Sequence, residues 1–172
     1  MKKILIILSI SFIVIMMNTR ASSKLIPDEA IRFRVIANSD TEYDQKIKMI
    51  VKEKVEKELY KILKNTKGID NAREIIKDNV GIIDSIVNKT LIEENYDKTY
   101  DVNYGMNYFP EKEYKGVKYK EGYYESLVIK LGEGKGKNWW CVLFPPLCLV
   151  EAEESDKVEY KFFIKELIDK YL

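Results

Sequence analysis

The chain of 172 residues contains no histidine. Ser-His and Cys-His dyads are therefore excluded, and so is any His-ligated metal site. Two cysteines are too few for a four-cysteine zinc site. The net charge is only +1, so the clustered basic excess that phosphate backbones require is missing. Lysines and arginines alternate with acids along the helical stretches, the pattern of solvated faces. No Asp-x-Asp-x-Asp-Gly loop occurs, which excludes an EF-hand. Gly132-Glu133-Gly134-Lys135-Gly136-Lys137 has glycine spacing of neither the dinucleotide fingerprint nor the P-loop, and the element after it reads as a strand, not a helix. No cofactor or metal is expected. Any chemistry must rest on carboxylates, lysine, tyrosine or an unassisted cysteine.

What is present begins at the N-terminus. Lys2 and Lys3 precede an apolar run from Ile4 to Met17, broken by Ser9 and Ser11. Arg20 and Ala21-Ser22-Ser23 follow. This is the order of a secretory signal peptide, and the run is short for a span of about 20 residues. Cleavage after Ser23 is one expectation; an uncleaved anchor is the alternative. The expected division is a signal or anchor segment over 1–23 and a single exported domain over 24–172. Loss of Lys2, Lys3 and Arg20 takes the net charge from +1 to −2.

Ile31-Arg32-Phe33-Arg34-Val35-Ile36 alternates apolar and basic residues, which predicts a strand with one buried face. Ser39 and Glu42 fit a capping box, with Asp40 or Thr41 as other caps. A local ion pair of Arg32 or Arg34 with Asp40 is the plain expectation for those charges. Ile47, Ile50, Val51, Val55, Leu59, Ile62 and Leu63 fall on one face of a helix over 42–64. Gly68 suits a left-handed terminus, and Asp70 or Asn71 is the expected cap of a second helix over 70–89. Beyond Asp97 the period shortens toward two. Strands are predicted over 97–109, 123–131 and 139–144, with a loop or short strand at 114–119. A final helix is predicted over 156–171. The order predicts an α+β fold, with a mostly antiparallel sheet of about four strands packed by two central helices and a C-terminal helix.

The densest segment is Asn138-Trp139-Trp140-Cys141-Val142-Leu143-Phe144-Pro145-Pro146-Leu147-Cys148. It holds both tryptophans, both cysteines and two of the four prolines. Adjacent tryptophans on a strand point to opposite faces. One can enter the core, while the other faces a second layer, solvent or a partner, where Trp is enriched. In an oxidising compartment Cys141 and Cys148 would pair across a short loop, a constraint of roughly 2–3 kcal/mol in chain entropy. Two reduced, buried cysteines are the alternative. Glu121, Glu125, Glu133 and Asp101 lie on the β segments as candidate catalytic carboxylates, although no spacing pairs them.

Two stretches together resemble the stage II sporulation protein R family. Ile31 to Asp40, with Asp44-Gln45, is similar to its first signature. Gly132-Glu133-Gly134 followed by Asn138 to Cys148 is similar to its second. The resemblance implies a signal rather than an enzyme. Such a protein is exported from the forespore into the space between forespore and mother-cell membranes. There it triggers a membrane-embedded aspartic protease that processes the pro-form of the sporulation sigma factor sigma-E. Arg32, Arg34, Asn38, Asp40, Asn138, Trp139 and Trp140 are the candidate partner-binding residues. An exported cell-envelope enzyme using carboxylates and a structural module on a membrane surface are the competing expectations.

Overall fold

The structure, a computed structural model, describes residues 29–114 and 117–145. The expected signal segment, the final helix and Cys148 lie outside these residues. Strand β1 (Ile31–Ile36) leads into helix α1 (Glu42–Leu63) and helix α2 (Ile69–Glu93). Strands β2 (Tyr100–Phe109), β3 (Lys112–Tyr114), β4 (Val117–Tyr119), β5 (Gly122–Leu131) and β6 (Asn138–Phe144) follow. Four of them form one sheet in the order β2-β5-β1-β6, and β3-β4 is a separate hairpin. Two of the three pairings in the sheet are antiparallel. The third, β1 with β5, is parallel, so the sheet is mixed. Parallel neighbours need a long crossover, and here both helices and β2 lie within it.

The alternation of β1 divides the protein. Ile31, Phe33 and Val35 are fully buried on the helix side, joined by Leu127, Ile129 and Leu131 of β5. Helix α1 contributes Ile47, Val51, Val55, Leu59 and Leu63, a run at spacings of four that makes one continuous stripe. Each such side chain contributes about 1.5–3 kcal/mol by leaving water. Thr41 is the cap actually used at the start of α1: its side chain accepts from the Asp44 N–H. Ser39 is not the cap, because its hydroxyl turns to the Asp44 carboxylate.

Helix α2 begins behind Gly68, whose φ of +78° is left-handed, and no side chain caps it. The expected cap at Asp70 or Asn71 is therefore absent. Asp70 instead holds Arg73 one turn on, at 2.6 Å. The helix runs to Glu93, past the expected end at 89. Leu91 repeats the four-residue spacing of Ile83 and Val87 and is buried with them, which draws the last turn onto the core. Asn95, at φ +53°, then reverses the chain, and the Tyr96 N–H closes the turn on the Leu91 carbonyl at 2.8 Å.

The glycine run reads from the sequence as a hairpin connection, but it joins β5 to β6 across β1, which lies between them in the sheet. Gly132 and Gly134 have positive φ. Gly136 faces a different constraint, since a Cβ there would run into the Ser39 backbone. Substitution Gly136→Ala is expected to destabilise the domain by about 1–3 kcal/mol, measured by denaturant titration. An unchanged midpoint would show that the loop gives way freely.

Candidate functional site

On β1, Arg32 and Arg34 occupy the face turned away from the helices. The antiparallel register of β6 sets Val142 opposite Arg32, Trp140 opposite Arg34 and Asn138 opposite Ile36. The end of β2, Pro110 and the β3-β4 hairpin close over this corner. The result is a small open recess of about 40 Å³ lined by Arg32, Arg34, Phe109, Pro110, Lys112, Tyr119, Asn138 and Trp140. Four of the seven residues expected to bind a partner are thus brought together: Arg32, Arg34, Asn138 and Trp140.

Aromatic rings hold the cations in place. The Arg32 guanidinium lies 3.3 Å from the Tyr124 ring centre and 5.4 Å from that of Phe109. Its residue is only 3% exposed, so Arg32 is part of the wall. Arg34 is half-buried, 5.3 Å from the Phe109 ring, and its Nη1 donates to the Tyr108 carbonyl at 3.1 Å. The Lys112 ammonium reaches back over the Trp140 ring at 5.0 Å. Tyr119 meets that ring edge-on at 6.1 Å. Burial lowers the pKa of Arg34. Partial desolvation of the ammonium, then the Arg34 charge, lowers that of Lys112. Asn138 Oδ1 is buried, and no described residue donates to it. Lys112 and Tyr119 were not among the sequence candidates. They arrive through a short hairpin whose pairing carries no motif.

The other three candidates lie elsewhere. Trp139 points to the helix side, edge-on to Phe33 at 5.5 Å, with the Lys52 ammonium 4.8 Å from its ring centre. It is partly buried and packs against the core. Asn38 and Asp40 clasp the glycine turn. Asn38 Oδ1 accepts from the Glu133 N–H at 3.0 Å, and Asp40 Oδ1 from the Lys137 N–H at 2.6 Å. This replaces the expected ion pair of Asp40 with Arg32 or Arg34: the arginines side with the recess, and Asp40 lies past the end of β1. The backbone adds Lys135 N–H to Asn38 O and Gly136 N–H to Ala37 O. The two signature stretches are therefore one structural unit at this point.

Asp44 anchors the clasp. It is 6% exposed and accepts from Asn38 Nδ2 at 2.9 Å, Ser39 Oγ at 2.5 Å and Tyr96 Oη at 2.9 Å. Burial raises its pKa, but the bonds from Ser39, Asn38, Tyr96 and Thr41 outweigh that and hold the carboxyl below 3.8. Burial, then the bond to Asp44, raises the Tyr96 phenol.

The candidate catalytic carboxylates are engaged separately. Glu125 accepts from Arg73 Nε at 2.8 Å and from the Tyr104 hydroxyl at 2.8 Å. Glu121 accepts from the Tyr108 hydroxyl at 2.7 Å, and Glu133 pairs with Lys135. Asp101 is exposed on β2. Cys141 stands opposite Phe33 on β6, while its expected partner Cys148 falls outside the described residues.

Residues 27–154 match the family model described as stage II sporulation protein R. A curated relative, the stage II sporulation protein R of Bacillus subtilis strain 168, is 38% identical over 135 residues. The alignment covers 78% of this chain and 60% of the relative, so the chain spans about three fifths of the relative's length. No solved structure matches.

The clasp carries a pH signature. The folded state holds Asp44 below its ordinary value of 3.8, so the unfolded chain takes up that proton first as pH falls. The stabilisation is complete above about pH 4 and is lost as pH drops through the folded-state value. Asp44→Asn is expected to lower stability at pH 7 and to flatten its fall below pH 4. Melting temperature against pH checks this; an unchanged slope would remove Asp44 as the anchor.

Proposed function

The chain belongs to the stage II sporulation protein R family, and from that premise we propose that it is an exported intercellular signal and not an enzyme. It acts in the space between forespore and mother-cell membranes. Its partner is the membrane-embedded aspartic protease that processes the pro-form of sigma-E. The observation that carries this reading is the recess on the helix-free side of the sheet. It gathers Arg32, Arg34, Asn138 and Trp140 from the two signature stretches, and Trp and Arg are the residues over-represented where interfaces concentrate their energy.

A signal of this kind works by differential affinity. It binds the cleaving arrangement of the protease more tightly than the resting one and shifts the population accordingly. A tenfold shift needs about 1.4 kcal/mol of such preference, well within what one aromatic anchor supplies. The carboxylate-enzyme alternative has less support. Glu121, Glu125 and Glu133 each hold a separate basic or phenolic partner. We also propose that Cys141 pairs with Cys148, closing a loop across Pro145-Pro146 at the end of β6.

The test is reconstitution of protease, sigma-E precursor and this chain, with cleavage as the readout. Trp140→Ala is expected to raise the concentration for half-maximal cleavage roughly tenfold or more, with the melting temperature nearly unchanged. Trp139→Ala is expected to lose about 3–5 kcal/mol of stability instead. Full stimulation by Trp140→Ala would move the partner face away from the recess. Thiol labelling of the exported, unfolded chain is expected to find no free cysteine; two labelled thiols would overturn the pairing.

A further inference from the structure

The recess has a chemical polarity of its own. Among the described residues, three cationic side chains and no carboxylate line it. Arg34 and Lys112 are like charges in a partly dehydrated corner, where each makes the other's charged form more costly. The short ion pairs among the described residues involve neither of them. Arg34 uses Nη1 on the Tyr108 carbonyl, and a guanidinium has five N–H donors. An anion entering here would relieve the repulsion and accept charge-assisted hydrogen bonds, which are about twice as strong as neutral ones.

The proposed partner narrows the class of anion. It is a protein, and a protein presents negative charge as an Asp or Glu carboxylate, whose two oxygens can accept from Arg34 and Lys112 together. The rings of Phe109 and Trp140 give the flanking residues apolar walls.

We propose that the recess binds an acidic residue from an extended segment of the partner. Arg34 and Lys112 hold its carboxylate. This rests on the partner-binding reading above and adds the chemistry that the partner must present.

The experiment uses the full chain and a short capped peptide with one central Glu, beside the same peptide with Gln and inorganic phosphate. The Trp140 indole resonance reports occupancy, and the Trp139 resonance, on the other face, is the control. The Glu peptide is expected to shift Trp140 saturably and to bind roughly tenfold or more tightly than the Gln peptide. Arg34→Gln and Lys112→Gln are each expected to weaken it by a similar factor, while Lys112→Arg retains most of the affinity. Lys112 is exposed, so its variants carry the test even where Arg34→Gln unfolds. The Glu peptide is also expected to compete in the cleavage assay, which the Gln peptide does not.

Equal binding of the two peptides, or phosphate bound as tightly with the same dependence on Arg34, would overturn the proposal. So would tighter binding of the Glu peptide after Glu151, Glu153 and Glu154 are all changed to Gln, because the recess would then belong to the chain's own acidic run. The two levels fail separately. Wild-type chain that stimulates cleavage no better than the Lys112→Gln variant defeats the acidic-residue inference alone. Wild-type chain that binds the Glu peptide but stimulates nothing defeats the signalling role and leaves the recess standing.

Discussion

The clasp between the β1-α1 turn and the glycine turn fixes which tryptophan goes where. A strand has a period of two, so a one-residue slip of β6 against β1 would exchange its faces. Trp140 would then enter the helix side and Trp139 the recess. Asn38 and Asp40 oppose that slip by taking the Glu133 and Lys137 N–H groups. The Lys48 ammonium adds a bond to the Lys137 carbonyl at 3.2 Å. These bonds lie immediately before Asn138, so the register is set before the first tryptophan. Asp44 holds Asn38 in place from beneath and ties the unit to Tyr96, beyond the end of α2.

Residues that share a sequence signature therefore divide by task. Asn38 and Asp40 act on backbone geometry, Trp139 on the core, and Arg34, Asn138 and Trp140 line a surface. Substitution of Asn38 disturbs the surface only through the position of β6. In a functional assay it would resemble a contact residue, while its distinguishing mark is a loss of stability. Arg32 stands between the two groups. It lines the recess, yet it is buried and stacked on Tyr124, so its replacement affects packing and charge together.

Much of the fold is legible from periodicity. The stripe Ile47, Val51, Val55, Leu59, Leu63 gives α1, and the alternation of Ile31, Phe33 and Val35 against two arginines gives β1. The opposite destinations of the tryptophans follow from strand geometry. The parallel pairing of β1 with β5 is not legible, because it is decided by three-dimensional closure and leaves no local mark. The recess is half legible for the same reason. Arg32, Arg34, Asn138 and Trp140 stand in recognisable stretches, but Lys112 and Tyr119 come from a hairpin of three-residue strands with no pattern. The roles of Asn38 and Asp40 are hidden because polar residues after a strand look alike whether they cap, clasp or bind. Only the presence of the glycine turn opposite them tells the difference.

The central place of β1, between β5 and β6, also governs the order in which the molecule can assemble. Arg32 pairs with Ser126 and Arg34 with Trp140, partners about a hundred residues downstream. A chain delivered from its N-terminus thus presents its central strand early and completes it late. Helices α1 and α2 can associate as soon as both are available, but their apolar faces have no finished sheet to cover until β6 arrives. Such non-local closure is slow compared with local pairing. Any passage through a narrow channel would meet a chain that has not yet locked. The last segment to join the sheet is also the one that completes the recess, so the surface exists only once the whole domain has closed.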